Sequence, residues 1–344
     1  MPFLSQSWYV AAWSHQLLPG QLRTLRMLAQ PVVLFRDAAG QVHALEDRCP
    51  HRGVPLSLGS VQADAVQCIY HGLRFNGQGT CVHNPHLRGS PERLTVRSYP
   101  VVERHGAVWL WAGTPALADA SLIPDYGVFD PGRTDYRVVH GYMHVKADVQ
   151  LVIDNLLDLS HAEYLHANTV GTPGSAATVQ SRVSATERTV TVHRKVFDLP
   201  PSAVFKPLWT ATAHIDQMSD MTWHAGSNLF LNLGIMPPGG ELVQGLHFPS
   251  AHLLVPESDR GTHYFYAVAR NFALADDALD DAIRATFQRA FGDEDRPVIE
   301  ALQVSLDEAP AGFRMVDFTP GDGAASRVRR ILAQLNAACA TPPS

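Results

Sequence analysis

The stretches CPHRG at residues 49–53 and CIYHG at residues 68–72 each set a cysteine close to a histidine within one tight turn. Thiolate and imidazole both bind iron and zinc well, so two such turns can enclose a site with four protein ligands: Cys49, His51, Cys68 and His71. Zinc would take all four on one ion. A two-iron cluster would instead carry both cysteines on one iron and both histidines on the other, an asymmetry that suits one-electron transfer.

The surroundings of these turns read as short strands. PVVLFRD and GQVHALED form a hairpin around Ala38, Ala39 and Gly40, and LTVRSYPVVERHGAVWLWAG supplies two or three more strands with a turn at His105 and Gly106. A chain of 344 residues exceeds the size at which a single core stops growing, so two domains are expected, 1–120 and 121–344. Residues 113–132, with three prolines and no sustained period, read as a connector. Beyond it, TVTVHRKVFDL, LFLNLGIMPP, LHFPSAHLLVP and THYFYAVARNF read as strands of a larger antiparallel sheet. DDALDDAIRATFQRAF and RPVIEALQVSLDEA read as two helices broken at GDED, and ASRVRRILAQLNAACA as a terminal helix. The class is α+β: an all-β first domain, then a large antiparallel sheet flanked by helices.

A formal charge of −6 without any basic run gives no footprint for nucleic acid. No stretch approaches eighteen continuous apolar residues, so no membrane span is expected and the protein reads as cytoplasmic. Four cysteines are too few for a disulfide scaffold. Cys81 reads as a small buried hydrophobe, and His83 and His86 as loop residues.

A second constellation lies in DNLLDLSHAEYLH, residues 154–166. The helix pattern over 148–166 is thickly apolar, yet Asp154, Asn155, Asp158, His161 and His166 interrupt it, and buried polar groups must be paired or metal-bound. His161 and His166 are five apart, a poor spacing for one helix face, so the helix is expected to end or distort between them. Two histidines with a carboxylate leave coordination positions open for dioxygen, which suits oxygenase iron. Spacing offers Asp293, Glu294 and Asp295 as the third ligand without choosing among them, and a polar core network remains the alternative.

A CxH turn followed by a CxxH turn, each closed by glycine, resembles the Rieske [2Fe–2S] motif. With WYVAAW, PHRGVPLSLG, YHGL, IDNLLDLSHAEYLH, PES and ARNF, the chain resembles the Rieske non-haem iron oxygenases, in the terminal oxygenase group that contains vanillate O-demethylase and dicamba monooxygenase. Val54 and Tyr70 stand where high-potential Rieske proteins carry two further cysteines, which places the resemblance in the low-potential oxygenase branch. The resemblance implies a helix-grip-like catalytic domain, a [2Fe–2S] cluster on Cys49, His51, Cys68 and His71, and mononuclear Fe(II) on His161, His166 and Asp295. It further implies a homotrimer in which Asp158 joins His71 of one subunit to His161 of its neighbour, with Asn155 close to the iron.

The chemistry so implied is reductive activation of dioxygen and hydroxylation of a methyl or methoxy group of a small aromatic acid, with O-demethylation releasing formaldehyde as the first expectation. Ring or methyl hydroxylation and N-demethylation are alternatives, as is a Rieske electron carrier with a binding-only second domain. No GxGxxG opening, flavin signature or second cysteine cluster is present, so electrons must come from a separate NAD(P)H-dependent reductase, of a flavin and ferredoxin type. Expected substrate contacts are His247, His224 and Asn232, with Phe205, Trp209, Phe230 and Ile235 as apolar neighbours. His247 resembles a histidine that holds a substrate carboxylate in the group, and His224 stands where an asparagine is found.

Overall fold

The computed structural model describes residues 3–86 and 93–340. One unit comprises Ser5–Pro124 with Val255–Ser258, and the other comprises Asp125–Leu254 with the chain from Asp259 onward.

The first unit holds β1 (Trp8–Trp13), β2 (Leu22–Met27), β3 (Gln30–Arg36), β4 (Val42–Glu46), β5 (Ser60–Gln62), β6 (Ala65–Gln67), β7 (Arg74–Asn76), β8 (Cys81–His83), β9 (Ser98–Tyr99), β10 (Val101–Arg104) and β11 (Ala107–Trp111). They form three antiparallel sheets, ordered β1-β11-β10, β2-β3-β4-β9 and β5-β6-β7-β8. The β3–β4 hairpin turns where expected, with Arg36 opposite Val42. His105 and Gly106, at φ 55° and 72°, make the turn from β10 to β11. Val33, Phe35, Leu45, Leu56, Val66 and Phe75 form a core into which Cys49 and Cys68 are packed.

The second unit is built on an antiparallel sheet of β12 (Arg137–Val145), β13 (Gln180–Ala185), β14 (Thr189–Leu199), β15 (Ile215–His224), β16 (Asn228–Met236), β17 (Leu246–His247), β18 (Ser250–Ser258) and β19 (Gly261–Arg270). The order is β12-β19-β18-β16-β15-β14-β13, with β17 paired to β16. Three of these strands, β12, β13 and β15, did not stand out in the sequence. In β15 the polar residues Asp216, Gln217, Ser219 and Asp220 fall on both faces, which hides the alternation. In β12 the Gly141 position has no room for a side chain, because a Cβ would overlap the Tyr266 ring.

Helix α1 (Val149–Leu157) starts at Asp148, whose carboxylate accepts from Gln150 N at 2.7 Å, a side-chain N-cap. The expected helix over 148–166 is shorter: it ends at Asp158, ahead of both histidines. There the chain passes into a 3₁₀ turn at Leu159–His161, capped by the Asp158 side chain, and then α2 (Ala162–Leu165). A second short helix, α3 (Ser175–Thr178), precedes β13. Val152, Ile153, Leu156 and Leu157 of α1 are buried with Val192, Met221, Trp223 and Leu229 of the sheet, and with Ala324, Val328 and Ile331 of the terminal helix. Each valine, leucine, isoleucine or methionine side chain among them contributes roughly 1.5–3 kcal/mol on removal from water.

The break expected at GDED is absent. Helix α4 (Asp277–Phe287) continues through π-helical turns at Gln288–Asp295 directly into α5 (Arg296–Asp307), and α6 (Pro320–Ala340) follows. Asp280 of α4 docks this helix on the sheet. It accepts from Arg270, which is fully buried on β19, and from Arg137 Nε on β12 at 2.8 Å. Among the described residues no helix is long and apolar enough to cross a membrane.

Candidate active site

The two cysteine–histidine loops share one backbone design. Cys49 N donates to Val54 O at 2.8 Å and Gly53 N to Cys49 O at 2.9 Å; Cys68 N donates to Leu73 O at 2.8 Å and Gly72 N to Cys68 O at 3.0 Å. Gly53 and Gly72 close the turns at φ 73° and 70°, a left-handed conformation that favours glycine. Both cysteines are buried, and burial together with the neighbouring Cys68 pushes the Cys49 thiol up to about 11. His51 and His71 lie towards the surface with their Nδ1 atoms 3.1 Å apart. Two thiols on the buried side and two imidazole nitrogens converging on the outer side fit a two-iron cluster with unlike ends. His86 Nε2 meets the His71 carbonyl at 3.1 Å, which ties the following loop to the second turn.

In the second unit His161, His166 and Asp295 bring their ligand atoms within 4.8 Å of one another. His161 Nδ1 donates to the Asp158 carbonyl, and His166 Nδ1 pairs with Glu294 at 2.7 Å. A carbonyl can only accept, so that hydrogen bond puts the His161 proton on Nδ1 and leaves Nε2 as a lone pair when the ring is neutral. The two Nε2 atoms face Asp295 Oδ1 at 3.4 and 3.2 Å. Asp295 Oδ2 is buried with no hydrogen-bond partner among the described residues. Two imidazole nitrogens and a carboxylate, all converging with an unsatisfied oxygen, have the donor set and geometry of a site for a divalent cation such as iron. Burial would raise the Asp295 carboxyl, but the hydrogen bonds and charge of the two histidines outweigh it and hold it down at about 2.

The choice among three acidic residues is settled by the π-helical segment, which turns consecutive residues to different partners. Asp295 points into the site, Glu294 holds His166 and the Thr169 hydroxyl, each at 2.7 Å, and Asp293 accepts from Gln288 at 2.9 Å. Asn155 Nδ2 donates to Asp295 Oδ1 at 3.0 Å and so fixes the carboxylate. The Asp158 carboxylate is half-buried and caps the 3₁₀ turn through Ser160 N at 3.1 Å.

A cavity of about 320 Å³ opens onto this triad. Its lining includes Leu156, Phe205, Leu231, Phe248 and Phe287, together with the polar residues Thr172, Arg194, Gln217, Ser219 and Ser250. The expected substrate contacts His247, His224 and Asn232 are not among the residues that line it. Strand parity is the reason: Leu231 and Leu233 of β16 face the cavity, so Asn232 between them faces the other side of the sheet. There Asn232 Oδ1 meets His247 Nε2 at 2.7 Å, and His247 Nδ1 meets the Tyr136 hydroxyl at 2.7 Å. On β15 Gln217 and Ser219 face the cavity, whereas His224 lies against Tyr126 with its pKa lowered to about 4 by burial. Of the apolar neighbours expected, Phe205 lines the cavity and Trp209, Phe230 and Ile235 do not. Arg194 adds a lining residue that no motif marks, although alternation in TVTVHRKVF already puts it in one row with Val190, Val192 and Val196.

A family model for the vanillate O-demethylase oxygenase C-terminal domain matches residues 145–338, and one for the Rieske [2Fe–2S] domain matches residues 7–100. The oxygenase component of dicamba O-demethylase from Stenotrophomonas maltophilia is 38% identical over 339 residues, covering 97% of this chain and 98% of that protein. The oxygenase component of chloroacetanilide N-alkylformylase from Rhizorhabdus wittichii is 36% identical over 332 residues, covering 96% and 94%. The crystal structure of dicamba monooxygenase bound to 3,6-dichlorosalicylic acid superposes with a TM-score of 0.93 at 36% identity, covering 99% of this chain and 100% of that one. With a Rieske [2Fe–2S] domain and an iron-binding triad of His161, His166 and Asp295, the chain belongs to the Rieske non-haem iron oxygenases of the dicamba/vanillate demethylase family.

Proposed function

We propose that the chain is the terminal oxygenase component of a multicomponent system that removes the methyl of a methoxy group on a small aromatic acid. The supporting observation is the cavity itself: apolar, of a size for one substituted ring, and open to the three ligand side chains. The names of the relatives point the same way, since both describe oxygenase components and one an O-demethylase. Balanced, one methoxyarene, dioxygen, two electrons and two protons give a phenol, formaldehyde and water. The hydroxylated methyl is a hemiacetal that collapses without a dedicated base.

Iron bound by the triad would supply reductive activation of dioxygen, fed by a cluster held through Cys49 and Cys68 on one iron and His51 and His71 on the other. The protein's own contribution is placement. Asn155 orients Asp295, Glu294 and the Asp158 carbonyl orient the two imidazoles, and the apolar walls exclude water and hold the ring. Electrons come from a separate NAD(P)H-dependent reductase. The subunits form a head-to-tail trimer in which Asp158 links the cluster histidine of one protomer to His161 of the next. The half-buried Asp158 carboxylate, with one backbone donor, is available for that link.

Anaerobic reconstitution followed by iron and acid-labile sulfide analysis should give about three irons and about two sulfides per chain, with a Rieske signal in the reduced state. Methoxylated aromatic acids should then release formaldehyde in step with oxygen uptake. About two irons after ferrous iron is supplied would instead mark an electron carrier. N-dealkylation is the second proposal, favoured by the N-alkylformylase relative; formaldehyde release from N-methyl but not O-methyl substrates would select it.

A further inference from the structure

The sheet wall of the cavity carries a single arginine in an otherwise apolar row. On β14 the residues Val190, Val192, Arg194 and Val196 are all buried, and Arg194 is only 9% exposed. The register that pairs Val192 with Met221 sets Arg194 opposite Ser219, and Gln217 Nε2 donates to Ser219 Oγ at 3.1 Å. All three line the cavity.

A guanidinium has five N–H donors in a fixed fork. Among the described residues the Arg194 guanidinium makes one hydrogen bond, from Nη2 to Ser175 Oγ at 3.2 Å. The carboxylates of Glu163 and Asp158 act on it without forming an ion pair, and desolvation by burial is strong enough to lower its pKa. Glu163 is already engaged by Gly174 N and Ala176 N at 2.8 and 2.6 Å. A cation buried with so few partners is costly, and a planar two-oxygen anion entering the cavity would satisfy it.

We propose that Arg194, with Ser219 and Gln217 beside it, is the anion-recognition site of the cavity, and that it holds the carboxylate of the aromatic substrate. The acid end then lies on the sheet wall, and the uncharged, alkyl-bearing end faces His161, His166 and Asp295. This rests on the aromatic-acid function proposed above and adds to it the residue that selects for the acid. It also moves acid recognition away from His247, His224 and Asn232, which the sheet turns to its other face.

The test is equilibrium calorimetry on the iron-loaded protein, anaerobic and without reductant, with the three methoxybenzoate isomers and their neutral benzamides. The native protein should prefer an acid to its amide. Arg194→Gln should weaken binding of that acid by about 30-fold or more while changing amide binding by less than about 3-fold, and Arg194→Lys, which keeps the charge but not the fork, should fall between. Should Arg194→Gln fail to fold, the Lys variant and the acid-to-amide ratio of the native protein still decide. Equal affinity of the native protein for acid and amide overturns the proposal, as does an equal loss for both ligands in Arg194→Gln, which would make Arg194 an anchor for the Ser175 segment only. In either case the dealkylating function stands if the neutral compounds release formaldehyde. No binding and no turnover of any methoxylated ring by the native protein would instead overturn the functional reading itself.

Discussion

At the scale of the residue, the site is a set of side chains whose second nitrogen or oxygen is already committed. His166 is held by Glu294 and Asp295 by Asn155, so each removal has its own signature. Asp295→Ala should lose the mononuclear iron, with the content falling from about three to about two irons per chain while sulfide stays at about two. Glu294→Gln should keep the triad but weaken iron affinity by roughly 10–100-fold, as measured by competition with a chelator. Asp158→Asn should retain both metal centres and lose most coupled turnover; near-normal oxidation with reductase supplied would sink the bridging role. The cysteine–histidine turns were legible because each loop is local in sequence. Spacing alone did not choose the carboxylate, since neighbouring acids far along the chain from His166 differ only in the phase of a helix; Asp295 came from the family resemblance, and the triad agrees with it. Strand parity turns Asn232 away from the cavity that Leu231 and Leu233 line, a phase that types of side chain alone do not reveal.

At the scale of the element, helices and sheet meet through charges as well as apolar rows. The Asp280 pair with Arg270 and Arg137 is the clearest case, with Arg270 fully buried and the Asp280 side chain 9% exposed. Asp280→Asn should destabilise the second unit by about 3 kcal/mol at neutral pH, because it leaves a buried guanidinium uncompensated. Burial raises the Asp280 carboxyl, but the two arginines outweigh it and hold it below the ordinary carboxylate range. Its stabilisation is therefore present above that range and is lost as pH falls through the lowered value. Denaturant curves of the native protein and the variant should converge on acidification and diverge towards neutrality. The alternation of β14 and the continuous aromatic and apolar run of β19 were legible; β15 and the π-helical turns were not, since burial of polar residues and helix phase depend on partners distant in the chain.

At the scale of the whole molecule, the proposed function has electrons enter through one unit and be used in the other. A trimer in solution, measured by light scattering, is the assembly expected if Asp158 links neighbouring protomers. The iron ligands come from opposite ends of the second unit: His161 and His166 precede β13, while Asp295 follows β19. A metal on these three residues fastens together the ends of a loop that contains seven of the sheet's eight strands. Stripping it with a chelator should lower the unfolding midpoint of the second unit while leaving the visible absorbance of the cluster in place. The same separation has a meaning during synthesis. A ribosome-bound chain ending before Asp295 offers two histidines and no carboxylate, so the oxygen-activating centre can be completed only after every strand of its sheet has been made.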